Sequence, residues 1–485
     1  MNGFRSPARA WAAIVGAGVA TGVALRIWVL ASPAGGLDAD EAVWGLMARH
    51  VLDGELSVFF WAQNYGGTLE ALATAALFAL TGSGTLALRA VPIALFALAA
   101  LLVWRVGRRT VGEPAARLGA VLFWIWPAYL IWKSTRAHGF YAAVTVLGLG
   151  VLLLALRLRE RDSRLDAAAL GLALGLGWWA SPQIALLAVP ALAWVVWCRP
   201  AVLRTAWPAL PAAVAGAAPW LGWNLAHGFD SLEPPFEPGD DSYPEHLRIF
   251  FGSTWPAALG LRVPFTFEWL VGAPAGRALQ LLALAGLGWL LVRRRPLGNV
   301  ELLVLMALAY PLLQSISPFS SLNDEPRYLV LLVPVTALLL ALVLARGPVT
   351  AGTGLVAAAA LSVAGLAALN RQEPPVPPVG GQRVPADLGP AVRALDDRGV
   401  DRVLAPYAAA YRVTFETNER IVATPTGQTR YRPHQRLVLE SRAPGYLFVA
   451  GSEDDRRLGP GLRAGGYDRV LAGGWAVYVP RESMR

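Results

Sequence analysis

A polytopic helical membrane protein with a small soluble α/β domain at its C-terminus is the fold this sequence predicts. Three observations predict it. Of 485 residues, 55% are hydrophobic and only 15% charged. Apolar runs recur near the ~20-residue length that crosses a bilayer. Those runs stop near residue 370, where a Pro/Gly-rich stretch gives way to shorter segments of mixed pattern. The class is mainly α, with about 11 spans by hydropathy. The expected divisions are a transmembrane unit over 1–370, a linker over 371–388 and a soluble domain over 389–485.

Taken in order, spans are expected near 10–31, 85–104, 115–132, 139–156, 166–180, 183–198, 205–224, 273–292, 299–315, 328–345 and 350–369. Segment 247–272 reads as a further re-entrant or interfacial helix. The first 30 residues begin basic (Arg5, Arg9) like a signal peptide, but the apolar body is long and contains Arg26. A retained first span is expected. The clusters Arg105/Arg108/Arg109/Arg117, Arg157/Arg159/Arg161/Arg164, Arg199/Arg204, Arg293/Arg294/Arg295 and Arg346 fall on the same side as Arg5 and Arg9. By the positive-inside rule that side is cytoplasmic. The chain is therefore expected in the cell (plasma) membrane, multi-pass, with its N-terminus cytoplasmic and its C-terminal domain extracytoplasmic.

The net charge of +9 belongs to this topology and does not point to nucleic acid. The single cysteine, Cys198, excludes a disulfide within the chain. Glu373-Pro374-Pro375-Val376-Pro377-Pro378 reads as an extended linker. Beyond it, helices are expected over 392–397 and 408–417. Strands are expected over 400–405, 420–424, 437–440, 446–450, 469–471 and 476–479.

The acidic cluster Asp38-Ala39-Asp40-Glu41 follows the first span. Apolar residues at Val43, Leu46, Met47 and Val51 have helical spacing, so Asp38 is an N-cap and Glu41 the third helical residue of a capping box. That accounts for two carboxylates and leaves Asp40, an ionised group held close to lipid, without a structural reason. When a group moves from an activated phosphate donor to a hydroxyl, a base must take the hydroxyl's proton, and a carboxylate suits that role. Asp40, with Glu41 beside it, is the candidate. Asp38, Asp40 and Glu41 would equally suit a divalent cation, and the residues alone leave the two readings open.

Three further groups face the outer side of this topology. Asn323-Asp324-Glu325-Pro326-Arg327-Tyr328 heads a late span, and Arg327 has the paired donors that grip a phosphate. An interface anchor explains Arg327 and Tyr328 equally well. Lys133, Arg136 and His138 share a short loop suited to a lipid phosphate, with snorkelling as the plainer account. Gln63, Tyr65 and Glu70 offer polar groups for sugar hydroxyls, although a turn and a helix start explain most of that stretch. The sequence contains no P-loop, no Cys/His metal spacing and no Gly-x-Ser-x-Gly elbow, so ATP-driven transport and soluble hydrolase chemistry lose support.

The acidic pair in the first outer loop, followed by Ala48-Arg49-His50-Val51-Leu52-Asp53-Gly54-Glu55, resembles the polytopic C-type glycosyltransferases. The nearest group is that of the protein O-mannosyltransferases and the aminoarabinose transferases. Arg327-Tyr328-Leu329 with Pro334 is similar to their Arg-Tyr-Leu…Pro segment. Where those enzymes often carry Lys-Pro-Pro, this chain has Tyr65-Gly66-Gly67-Thr68. The resemblance implies a polyprenyl-phosphate sugar donor and transfer on the outer face. No cofactor is expected to be required, and the expected partners are that donor and the membrane lipid. Asp40 would be the base, Glu41 its neighbour and Arg327 a donor-phosphate contact. With the residue reading added, Lys133 and Arg136 join Arg327. Asp38, His138, Gln63, Tyr65, Glu70, Asp324, Glu325 and Tyr328 form the expected substrate-binding set.

The reaction so implied is inverting transfer of a sugar to an acceptor hydroxyl on a glycan, a lipid or a protein. The rival from another class is a transporter or flippase of lipid-linked glycans. It predicts acidic residues near the bilayer midplane and repeated halves, and neither is visible here. A scaffold whose working part is the outer domain would tolerate loss of Asp40.

Overall fold

A computed structural model of the chain describes residues 7–233, 241–293, 298–317, 320, 326–372 and 382–481. It opens with α1 (Pro7–Leu30), in which Arg26 donates to the carbonyls of Gly22 and Trp124 at 2.9 Å and lies 3.4 Å over the Trp124 ring. A charge inside a span is thereby paired with backbone and aromatic face. Then come α2 (Ala39–Leu52), α3 (Leu69–Thr81), α4 (Thr85–Thr110), α5 (Glu113–Ile125) and α6 (Ala128–Ser134). α7 (Tyr141–Glu160), α8 (Arg164–Ala180) and α9 (Ala185–Cys198) follow, then the helices Ala273–Arg293, Val300–Gln314, Val333–Leu344 and Pro348–Arg371.

Against the eleven segments expected, five helices among the described residues are long and apolar enough to cross a bilayer. The count is six if α5 and α6, bent by 71°, form one span. Pro127 lies at that bend and has no N–H to continue the helical ladder. Segments 69–81, 182–198 and 300–314 are apolar but shorter. The single span expected over 205–224 is instead two helices, Ala209–Gly216 and Ala218–Ala226, the second begun by Pro219. In the 247–272 region helix ends at Ala258, and an isolated bridge pairs Arg262 with Trp269.

Of the linker, residues 373–381 lie outside the described residues. The C-terminal domain is a five-stranded sheet in the order β2-β1-β3-β5-β4. The strands are β1 (Arg402–Ala405), β2 (Val422–Pro425), β3 (Gly445–Val449), β4 (Tyr467–Ala472) and β5 (Trp475–Pro480). β1 runs parallel to β2 and β3, and β5 is antiparallel to β3 and β4. Val403, Leu447, Val449, Trp475 and Val477 fill its core. The strand expected over 437–440 is the end of a helix, Arg432–Leu439. Pro433 opens that helix, and His434 and Val438, one turn apart, form its buried face. A helix at Glu453–Ala464 was not expected; Ser452 caps it by accepting from the Asp455 amide.

The two parts share a core. Val43, Leu46 and Met47 of α2 and Ala71, Ala75 and Phe78 of α3 pack with Tyr411 and Phe415 from the helix Tyr407–Glu416. A Cβ on Gly45 would stand 2.3 Å from the Phe415 ring, so this approach requires a glycine.

Candidate active site

The first turn of α2 carries the acidic cluster, and the capping box is present in full. Asp38 accepts from the Glu41 amide at 2.9 Å, and the Glu41 side chain accepts from the Asp38 amide. Glu41 is wholly buried. Arg89 of α4 reaches its two oxygens at 2.8 and 2.6 Å, Arg136 reaches Oε2 at 2.6 Å, and the Ala137 amide donates at 3.0 Å. Burial pushes this carboxyl up, but the two guanidinium groups outweigh it and hold it at about 2. Arg136 also donates to the carbonyls of Ala34 and Gly36. This network ties α2, α4 and the 133–138 turn together below the surface of the site.

Asp38 has a second duty. Its Oδ2 lies 2.5 Å from Nε2 of His138, whose Nδ1 lies 3.0 Å from Nζ of Lys133. A lysine ammonium only donates, so Nδ1 accepts and the Nε2 proton points to Asp38. Burial raises the Asp38 carboxyl, while His138 and Arg136 hold it well below the usual carboxylate range. Gly139 follows with φ +79°, and a Cβ there would meet the Trp44 ring at 2.2 Å.

Asp40 behaves differently. It is exposed, at the wall of a cavity of about 710 Å³. The same cavity is lined by Gln63, Tyr65, Lys133, His138, Arg327 and Tyr328. Tyr141, Trp178, Gln183, Gln314 and Arg430 complete its polar and aromatic wall. Burial pushes the Tyr65 phenol up against the pull of Arg430 and Arg327. Gln63, Lys133, Arg327 and Arg430, which stand 23, 93, 287 and 390 positions from Asp40 along the chain, thus converge with it on one space. Asp38, Glu41, Arg136 and Glu70 are not in its wall. Glu70 is buried and accepts from the Ala143 amide at 2.9 Å, at the start of α7. Asp324 and Glu325 lie outside the described residues.

Two of the site residues not expected from the sequence come from the C-terminal domain. The Tyr407 hydroxyl donates to Asp40 Oδ1 at 2.5 Å, and Arg430 Nε donates to that hydroxyl oxygen at 3.0 Å. Arg430 also lies 5.1 Å over the Phe60 ring, inside the cavity wall. No local pattern marks either residue; only the docking of the domain brings them to Asp40.

Asp38, Glu41 and His138 bring ligand atoms within 4.8 Å of one another, a grouping of metal-binding type. Asp40 stands outside it. Glu41 is already held by Arg89 and Arg136, and two guanidinium charges oppose a divalent cation at that carboxylate. The residues therefore fit a metal poorly at this point.

The family model for dolichyl-phosphate-mannose-protein mannosyltransferase matches residues 69–223. No curated protein matches the chain. Among solved structures, ArnT from Cupriavidus metallidurans in the apo state superposes with a TM-score of 0.67 at 14% identity, covering 99% of both chains. ArnT from the same organism bound to undecaprenyl phosphate gives 0.68 at 12% identity, covering 97% of this chain and 98% of that one. The archaeal oligosaccharyltransferase AglB from Archaeoglobus fulgidus, in complex with an inhibitory peptide and a dolichol-phosphate, gives 0.51 at 14% identity. That match covers 98% of this chain and 74% of AglB. In its overall fold and in the stretch shared with the mannosyltransferase family model, the chain bears out its resemblance to the polytopic C-type membrane glycosyltransferases.

Proposed function

We propose that this protein is an integral-membrane glycosyltransferase that moves a sugar from a polyprenyl-phosphate donor to an acceptor hydroxyl on the outer face of the membrane. The observation that carries the reading is one cavity in which an exposed carboxylate, Asp40, faces the cations Lys133, Arg327 and Arg430. Base and anion-binding groups sharing one concave space are what such a transfer needs. That similar folds are solved with undecaprenyl phosphate and with a dolichol-phosphate supports a lipid-linked donor.

In this reading Asp40 takes the acceptor's proton. The acceptor oxygen bonds to the anomeric carbon from the face opposite the phosphate, the bond from that carbon to the phosphate oxygen breaks, and the configuration inverts. Lipid phosphate leaves with the electron pair, and Arg327 and Lys133 hold its charge. Tyr407 fixes Oδ1 of Asp40, so Oδ2 is turned to the acceptor. Gln63, Tyr65 and Tyr328 supply polar edges for the sugar. Glu41, Asp38 and Arg136 act as positioning residues that hold the start of α2 and the 133–138 turn in place.

The test is turnover of a panel of polyprenyl-phosphate sugars by the purified full-length protein and by Asp40→Asn. Wild type is expected to release lipid phosphate and transfer the sugar. The variant should lose about 10²–10⁴-fold, the usual size of a general-base contribution. Equal turnover in both proteins overturns the role of Asp40. Movement of the intact donor across vesicles without phosphate release favours the transporter.

A further inference from the structure

About 15 Å along α2 from Asp40, by helical rise, lies a second cluster that the transfer reading does not use. His50 in the last turn of α2 meets Glu419 and His434 of the C-terminal domain. Nε2 of His50 and Nε2 of His434 lie 3.1 and 3.2 Å from the same oxygen, Oε2 of Glu419. All three ligand atoms fall within 4.8 Å of one another. Both imidazoles are buried. Glu419 sits at φ +62°, directly after Asn418 at φ +51°, so two consecutive non-glycine residues are held left-handed to present this carboxylate. Strain of that kind persists where the surrounding structure has a use for it.

From these positions we infer a zinc-class divalent metal site that staples the C-terminal domain to α2. A tetrahedral ion with ligand bonds near 2.0–2.1 Å separates adjacent ligand atoms by roughly 3.3 Å. The two His–Glu distances have that value to within a few tenths of an ångström. The outer partner is also in place: Nδ1 of His50 lies 2.8 Å from Glu55 Oε2, and Glu55 accepts from the Tyr431 hydroxyl at 2.7 Å. A carboxylate on the far nitrogen orients a neutral imidazole toward a metal. Without an ion, both nitrogens of His50 face carboxylates, which only a second proton on the ring satisfies. A divalent cation takes the place of that proton. Arg49 approaches the other Glu419 oxygen, at 3.8 Å, so the carboxylate binds through Oε2 alone. Glu419 is partly exposed, and water supplies the fourth ligand from that side. Imidazole and carboxylate together suit zinc, not magnesium.

This site does not depend on the catalytic reading, since binding is measured without donor or acceptor. Full-length protein in detergent is stripped with chelator and titrated with zinc alone, with magnesium as control. One zinc per chain is expected, with a rise in melting temperature that magnesium does not give. Cobalt in place of zinc should show the visible absorption of a tetrahedral site. His434→Gln should abolish stoichiometric binding, and Glu55→Gln should weaken it about 10–100-fold. His138→Gln, in the other cluster, should leave binding intact. A folded wild type that takes up no zinc, or zinc binding unchanged in His434→Gln and Glu55→Gln, overturns the proposal.

Discussion

At Asp40 the Tyr407 hydroxyl holds Oδ1 at 2.5 Å, and Arg430 holds that hydroxyl in turn. A hydrogen bond to a charged group contributes about 1.5–3 kcal/mol when its loss leaves the charge less well placed. Tyr407→Phe keeps the ring and its packing and removes only the donor. Turnover should fall by about 10–100-fold with the donor's KM unchanged, because the group affected takes the proton and does not bind the donor. A rise in KM with kcat intact would assign Tyr407 to substrate binding instead. Asp38 and Glu41 show what was legible at this scale. Their capping box is local, three residues apart, and is legible from spacing. The arginines on Glu41 come from 48 and 95 residues away, and no spacing rule reaches them.

At the scale of elements, α2 is the hinge of the site. Asp40 stands at its start, His50 in its last turn, and Gly45 between them meets Phe415. A branched side chain at Gly45 must displace a fully buried ring, and overpacking of that kind costs typically ~1–3 kcal/mol. Gly45→Leu should loosen the helix Tyr407–Glu416 from α2. The expected outcome is faster proteolysis within 382–481 and loss of transfer, with the thermal transition of the membrane-embedded part retained. Cleavage and turnover both at wild-type levels would show that the helix does not depend on this contact. Most elements of the C-terminal domain were legible because strands such as 446–450 and 476–479 are short apolar runs bounded by turns. The run Leu437-Val438-Leu439 has the pattern of a strand for the same reason. Its true period shows only with the buried His434 one turn before Val438.

For the whole molecule, the proposed orientation sets the C-terminal domain outside the membrane, where it closes over the cavity with Arg430 in the wall. Arg442 is exposed on that domain. A Cys198→Ser, Arg442→Cys protein should be labelled by a membrane-impermeant maleimide in intact cells. Labelling only after lysis would reverse the topology and move the site to the cytoplasmic side.

From the sequence alone come the membrane class, the helical layout with its soluble C-terminal domain, the capping box of α2 and several residues (Gln63, Tyr65, Lys133, His138, Arg327 and Tyr328) that line the cavity with Asp40. Those depend on composition, hydropathy and short spacings, which are properties of the chain taken a few residues at a time. Only the tertiary structure separated Asp40 from Glu41, sending one to a cavity and the other into a buried cage of guanidinium groups. It alone brought Tyr407, Glu419, Arg430 and His434 to α2 from the far end of the chain. Charges and hydrogen bonds act over a few ångströms, so what a carboxylate does depends on neighbours in space, and those are chosen by how the domains pack.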